Sequence, residues 1–116
     1  MDLNYDEIFE NEDRSYTFKL IDILKNNKIS EDERGRVEET LEELEDPRCW
    51  NLLYKTVLDL SYDYKIRESA IEILSNSSFT IKKENQLKLW KNKDVLIKKS
   101  ALYFMEREEK NRKTSN

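Results

Sequence analysis

The 116-residue chain has no histidine and only one cysteine, one glycine and one proline. Without histidine there can be no His-based triad or His metal site, and most acid–base schemes near neutrality lose their usual participant. The lone Cys49 excludes an internal disulfide and a thiolate zinc site, and gives no sign of an oxidising compartment. A lone Gly35 cannot build a phosphate-cradling loop or a dinucleotide fingerprint. So few turn residues also argue against hairpin-rich or sandwich folds. No apolar run approaches the ~18 residues needed to cross a bilayer. The opening Met1-Asp2-Leu3-Asn4-Tyr5-Asp6-Glu7 is acidic where a secretory signal is basic and then apolar. The expectation is an all-α, single-domain, cytoplasmic protein with no membrane contact, no metal and no cofactor.

What is present is charge and periodicity. Charged residues make up 40% and hydrophobic ones 37%, a lean core whose apolar positions nevertheless keep a helical register. Residues 1–48 hold 16 acids against 7 bases, a balance of −9, and residues 49–116 hold 9 against 14, a balance of +5. Such a field can steer a charged partner or merely keep the surface solvated.

The pattern predicts a short helix or docked arm over Leu3 to Phe9, then a helix from Asp13 to Asn26 with Phe18, Leu20, Ile21 and Leu24 on its apolar side. Ser30 and Glu33 form a capping box for a helix carrying Val37, Leu41 and Leu44. Asp46-Pro47 opens a third helix to Leu60, with Trp50, Leu53, Tyr54, Val57 and Leu58 inward. Asp63 caps a fourth (Ile66, Ala70, Ile73, Leu74), Thr80 a fifth (Ile81, Leu87, Leu89, Trp90) and Asp94 a sixth (Ile97, Ala101, Phe104, Met105). Pairs Glu106/Lys110, Glu108/Arg112 and Glu109/Lys113 support the end of the last helix.

Residues 63–74 resemble residues 94–105 without a gap, 31 positions on. Aligning Val37-Leu41-Leu44 with Ile66-Ala70-Ile73 and Ile97-Ala101-Phe104 gives offsets of 29 and 31. The expected organisation is one domain, 1–116. It comprises an arm or short helix at 1–12, antiparallel helical hairpins at 13–46, 47–76 and 77–110, and a frayed tail at 111–116. Val37, Ile66 and Ile97 should share one apolar seam. Asp63, Ile66, Arg67, Ala70, Ile73 and Leu74 are similar to the second helix of a HEAT-type repeat, and Asp94, Ile97, Lys98, Ala101, Phe104 and Met105 follow with Lys for Arg. The resemblance implies three hairpins stacked as a short HEAT-like α-solenoid.

Candidate chemistry is sparse. Glu38/Glu42, Glu39/Glu43 and Glu42/Glu45 are paired carboxylates that could serve glycosidases or divalent metal, but a solvated helix face is the preferred reading. Cys49 lies beside Arg48 at a helix start, which can lower a thiol pKa; lacking a His partner, it reads as structural. Lys82, Lys83, Lys88, Lys91, Lys93, Lys98 and Lys99 form a basic cluster near Trp90 and Tyr103. The net charge of −4 and the excess of Lys over Arg disfavour nucleic acid as partner, and Trp90 at helical spacing from Leu87 reads as core. No enzyme is expected.

Protein binding remains. The outward residues of the second helices, Glu38, Glu42, Glu45, Glu68 and Glu72 with Tyr64 and Tyr103 as aromatic anchors, are the candidate contact surface, suited to a basic partner. In size, fold and charge the chain resembles the immunity proteins of contact-dependent and polymorphic bacterial toxin systems. That resemblance implies neutralisation of a basic toxin domain, a nuclease encoded beside it, by covering its active site. A HEAT-like scaffold or regulatory adaptor is one alternative. A nucleic-acid-binding module using the Lys-rich carboxyl-terminal hairpin is another.

Overall fold

The computed structural model describes residues 3–114, with side chains through residue 107 and at 109. Among these residues there are seven α-helices and no strand: α1 (Tyr5–Asn11), α2 (Thr17–Leu24), α3 (Glu31–Leu44), α4 (Trp50–Leu58), α5 (Tyr64–Ser75), α6 (Lys83–Trp90) and α7 (Val95–Thr114). Short 3₁₀ turns at Arg14–Tyr16 and Pro47–Cys49 lead into α2 and α4. The expected helices from Asp13 and Pro47 therefore begin with a tighter turn. In each, an Asp side chain bonds the amide two residues on, Asp13 to Ser15 and Asp46 to Arg48, both at 3.1 Å. That bond closes a tighter ring than an α-helical cap.

The helices pack α2 on α3, α4 on α5 and α6 on α7, while α1, α3, α5 and α7 each neighbour the next in that series. The molecule measures 42 × 37 × 21 Å, and its short dimension matches two helix layers of ~10 Å each. Between the layers one connected apolar cluster runs from Ile8 through Leu20, Val37, Leu53 and Ile73 to Phe104. Ile66 is buried too, but lies outside the cluster that holds Val37 and Ile97, so the expected seam does not pass through it.

The reason is register. Glu12 and Glu45 end α1 and α3 in left-handed backbone, and Asp13 and Asp46 follow them as N-caps. Asn26 and Asp59 make the same side-chain turn to Lys28 and Ser61, at 2.9 Å in both. Ser30 and Asp63 are N-caps, and four residues later Arg34 and Arg67 each reach back ten residues to a carbonyl at the end of the preceding helix, Leu24 at 3.0 Å and Val57 at 2.9 Å. Every one of these pairs is 33 residues apart. Val37 therefore corresponds to Ala70, not Ile66, and the offset of 29 is corrected to 33. Ile66 falls opposite Glu33, on the first turn.

Arginines close most of the helix ends. Besides Arg34 and Arg67, Arg14 donates to Leu44 and Glu45 carbonyls (2.9 and 3.0 Å) and Arg107 to those of Leu74 (2.7 Å), Ser75 and Phe79. Cationic donors there satisfy orphan carbonyls and suit the negative end of the helix dipole.

Several local expectations change. The Ser30 hydroxyl accepts from the Glu33 amide at 3.1 Å, but the Glu33 carboxylate accepts from the Tyr5 hydroxyl at 3.3 Å, so only half of the capping box is seen. Asp63 is the N-cap of α5 without a side-chain capping bond. Helix α4 stops at Leu58 and leaves Leu60 exposed; α6 starts at Lys83, so Thr80 and Ile81 precede it. Ile81 still packs partly against the core, and Phe79 turns inward against Trp50, Tyr54 and Phe104, with centroids 5.5–6.3 Å away. Phe18, Leu87, Trp90 and Met105, expected inward, are exposed. A Cβ on Gly35 would meet nothing within 4 Å, so packing does not demand glycine there. Helix α7 continues through residues 111–114, and residues 115–116 lie outside the description. So do the side chains of Glu108, Lys110, Arg112 and Lys113, and with them the three expected ion pairs.

Candidate functional site

Helices α3 and α5 lie side by side, and the residue spacing of each brings carboxylates to their shared outer face. Glu38 and Glu42 are one turn apart on α3; Tyr64, Glu68 and Glu72 follow at four-residue intervals on α5. Glu38 is half-buried and accepts from the Ser69 hydroxyl of α5; Glu42, also half-buried, accepts from the Asn76 amide at 3.1 Å. Both carboxyls are pushed above the usual carboxylate range, chiefly by burial, against the opposing pull of those hydrogen bonds. The Glu72 charge raises both further; Glu68 adds to the effect on Glu38, and Glu39 to that on Glu42. Arg34, buried beneath, draws Glu38 the other way.

The sign of this coupling matters. A carboxyl whose folded pKa is raised stabilises the fold most below its unfolded pKa and loses that contribution as pH rises through the folded value. The ionised forms of Glu38 and Glu42 are therefore the ones that the fold disfavours. A cation brought to this face would relieve that repulsion.

The remaining candidates are more dispersed. Tyr64 is exposed on the first turn of α5. Glu45 ends α3, exposed, with its backbone at φ 42° and its carbonyl held by Arg14. Tyr103 packs partly into the core on α7, with Lys99 Nζ 6.0 Å from its ring centroid. Along the outer face, acids on α3 and α5 thus give way to Lys99 and Tyr103 on α7. Phe9, absent from the expected set, is exposed beside the acids: it lines an open groove of about 430 Å³ with Glu39, Glu42, Glu43 and Asn76. Neither Phe9 nor the supporting Ser69 and Asn76 carries a local sequence signal, because each meets Glu38 or Glu42 only through space.

Among the described residues no group of three acids, His or Cys is placed to hold a metal ion, and no helix is long and apolar enough to cross a membrane. Cys49 is buried, its thiol donating to the Asp46 carbonyl at 3.1 Å and pushed up to about 11, first by burial and then by the Asp46 charge. At neutral pH it is a protonated core residue, not a thiolate. Comparison with known proteins finds no matching family model, no matching curated protein and no matching solved structure.

Proposed function

We propose that the chain is a protein-binding module, an immunity protein that neutralises a basic bacterial toxin domain by laying the acidic α3–α5 face over its active site. Its fold is read as three antiparallel hairpins, 13–46, 47–76 and 77–110, stacked as a short HEAT-like α-solenoid. The pairwise packing and the 33-residue correspondence support that reading, and the short α1 stands where a preceding second helix would. Function is set in the cytoplasm, against a nuclease encoded in the neighbouring reading frame. Carboxylates take the place of substrate phosphates, and Tyr64 and Phe9 fill adjoining apolar pockets.

The observation that carries this reading is that Glu38 and Glu42 are kept partly desolvated and close to other acids, at a cost to the fold. Carboxylates held among like charges, where the hydrogen bonds from Ser69 and Asn76 offset only part of the cost of burial, are the expected mark of a binding surface. The test is co-purification with the domain encoded next door, followed by the double substitution Glu68→Lys and Glu72→Lys. Both positions are exposed, so helicity should be retained while affinity falls at least about tenfold and association loses its salt dependence. Unchanged affinity in the folded variant would remove this face as the contact.

A further inference from the structure

The last helical pair exposes apolar residues at positions that the preceding pair buries. Counted from the N-caps Asp63 and Asp94, the α5 residues Arg67, Ile71 and Leu74 correspond to Lys98, Leu102 and Met105 of α7. In α5, which packs against α7, Ile71 is 3% and Leu74 1% exposed. Leu102 and Met105 are 43% and 38% exposed. Val95, Lys98, Leu102 and Met105 follow at intervals of three, four and three, a single helical stripe. Lys98 Nζ lies 5.1 Å from the Trp90 ring centroid and so joins exposed Trp90 and Leu87 of α6 to that stripe. End units of repeat arrays ordinarily carry a polar outer face. An apolar edge rimmed by charge marks an interaction site.

We propose that this edge binds an amphipathic helix of another protein, its apolar stripe on Leu102 and Met105 and its flanks acidic, running beside α7 as α7 runs beside α5. The contact between α5 and α7 supplies the template. Arg67 pairs with Asp94, the residue that opens α7, through bonds of 2.7 and 3.2 Å. Lys98, the counterpart of Arg67, therefore calls for an acid at the start of the incoming helix. Lys88 lies on α6 and Lys91 just past its end, while the acids of α7, Glu106 and Glu109, lie towards its other end, so the start of the edge is basic. A second copy laid parallel to α7, as α7 lies beside α5, would set Lys98 against Lys98, which disfavours it as the occupant. This edge is separate from the acidic α3–α5 face, and the proposal stands or falls independently of it.

The test is a titration of the ¹⁵N-labelled full chain with a synthetic amphipathic peptide of about 16 residues, long enough to form a helix on a surface. The peptide carries an N-terminal Asp cap, leucines at three- and four-residue spacing and glutamates on the flanks; a second version has lysine for every flanking glutamate. The expected result is saturable shifts confined to α6 and α7, including the Trp90 indole, with the glutamate peptide binding at least about tenfold more tightly than its lysine counterpart. Leu102→Glu with Met105→Glu should abolish both shifts and binding. Should that variant unfold, Trp90 fluorescence of the unaltered chain still reads the peptide preference. No binding, equal binding of the two peptides, or shifts outside α6 and α7 would overturn the proposal. So would a concentration-dependent dimer that buries this edge, or a single-stranded oligonucleotide that competes as well as the glutamate peptide.

Discussion

The junction from α1 to α2 and that from α3 to α4 are built alike; the junction from α5 to α6 is not. In the first two, a left-handed Glu (Glu12, Glu45) is followed by an Asp cap and a 3₁₀ turn. In the third, α5 ends on Asn76 at φ −96°, and the chain runs through residues 77–82 with Phe79 turned into the core. Polar caps make the first two junctions; an aromatic plug makes the third. The lesson is that successive helical pairs can pack alike while the chemistry that ends their helices differs. At the third junction the buried ring stands where the others have an Asp cap, and it works beside the hydrogen bonds of Ser77 and Arg107.

The sharpest break of that comparison is Phe79→Ala. The ring meets Trp50, Tyr54 and Phe104 and is almost fully buried. Its removal should cost about 3 kcal/mol, the low end for a core Phe because the loop can partly collapse. Arg107, which donates to the Phe79 carbonyl, would lose a fixed acceptor as well. Urea unfolding monitored by circular dichroism reads the loss directly, and a cost below about 1 kcal/mol would deny the plug its role.

Next in size is the contrast between the two Asp caps. Asp46 is buried and accepts from the Thr17 hydroxyl at 2.8 Å, the Arg48 amide at 3.1 Å and the Arg48 guanidinium at 2.7 Å. Asp13 bonds only its own turn, through Ser15. Asp46→Ala should therefore cost about 2 kcal/mol, leaving a buried hydroxyl unpaired, against about 1 kcal/mol for Asp13→Ala. The Arg48 guanidinium holds the Asp46 carboxyl well below the usual range, with burial opposing and Thr17 assisting. A depressed carboxylate contributes stability above its unfolded pKa of about 3.9 and loses it as pH falls toward the folded value. Asp46→Asn should thus flatten the acid limb of stability below about pH 4 without abolishing it, because Arg67 depresses Asp94 in the same direction. An acid limb unchanged by the substitution would show that the charge is not what holds this junction.

Sequence periodicity made the helical class and most of the core legible. Leu20, Val37, Leu53, Ala70, Ile73 and Phe104 are buried because a 3.6-residue stripe must find cover. It could not say which stripes remain uncovered, so Leu87, Trp90 and Met105 read as core when they are surface. It also misaligned α3 with α5, since apolar letters match at an offset of 29 while the polar caps and arginines correspond at 33. Those markers, Ser30 with Asp63 and Arg34 with Arg67, are meaningful only through carbonyls they reach across a turn. For the acidic face, spacing placed Glu38 with Glu42 and Glu68 with Glu72; that the two pairs adjoin, supported by Ser69 and Asn76, needed the packing of α3 on α5.

The smallest expected effect sharpens the likeness of the first two junctions. Glu12 and Glu45 sit at φ 47° and 42°, where a Cβ costs roughly 1 kcal/mol relative to glycine. Glycine at either site removes that strain but loosens the unfolded chain, which offsets part of the gain. Glu12→Gly and Glu45→Gly should each raise stability by about 0.5 kcal/mol, read as a small upward shift of the unfolding midpoint. Asn76→Gly is the counterpart that separates backbone strain from any general benefit of flexibility at a helix end. Its φ is already in a region open to every residue, and its amide supports Glu42, so that substitution should lower stability. A gain at all three sites would mean that the left-handed backbone is not what distinguishes the first two junctions.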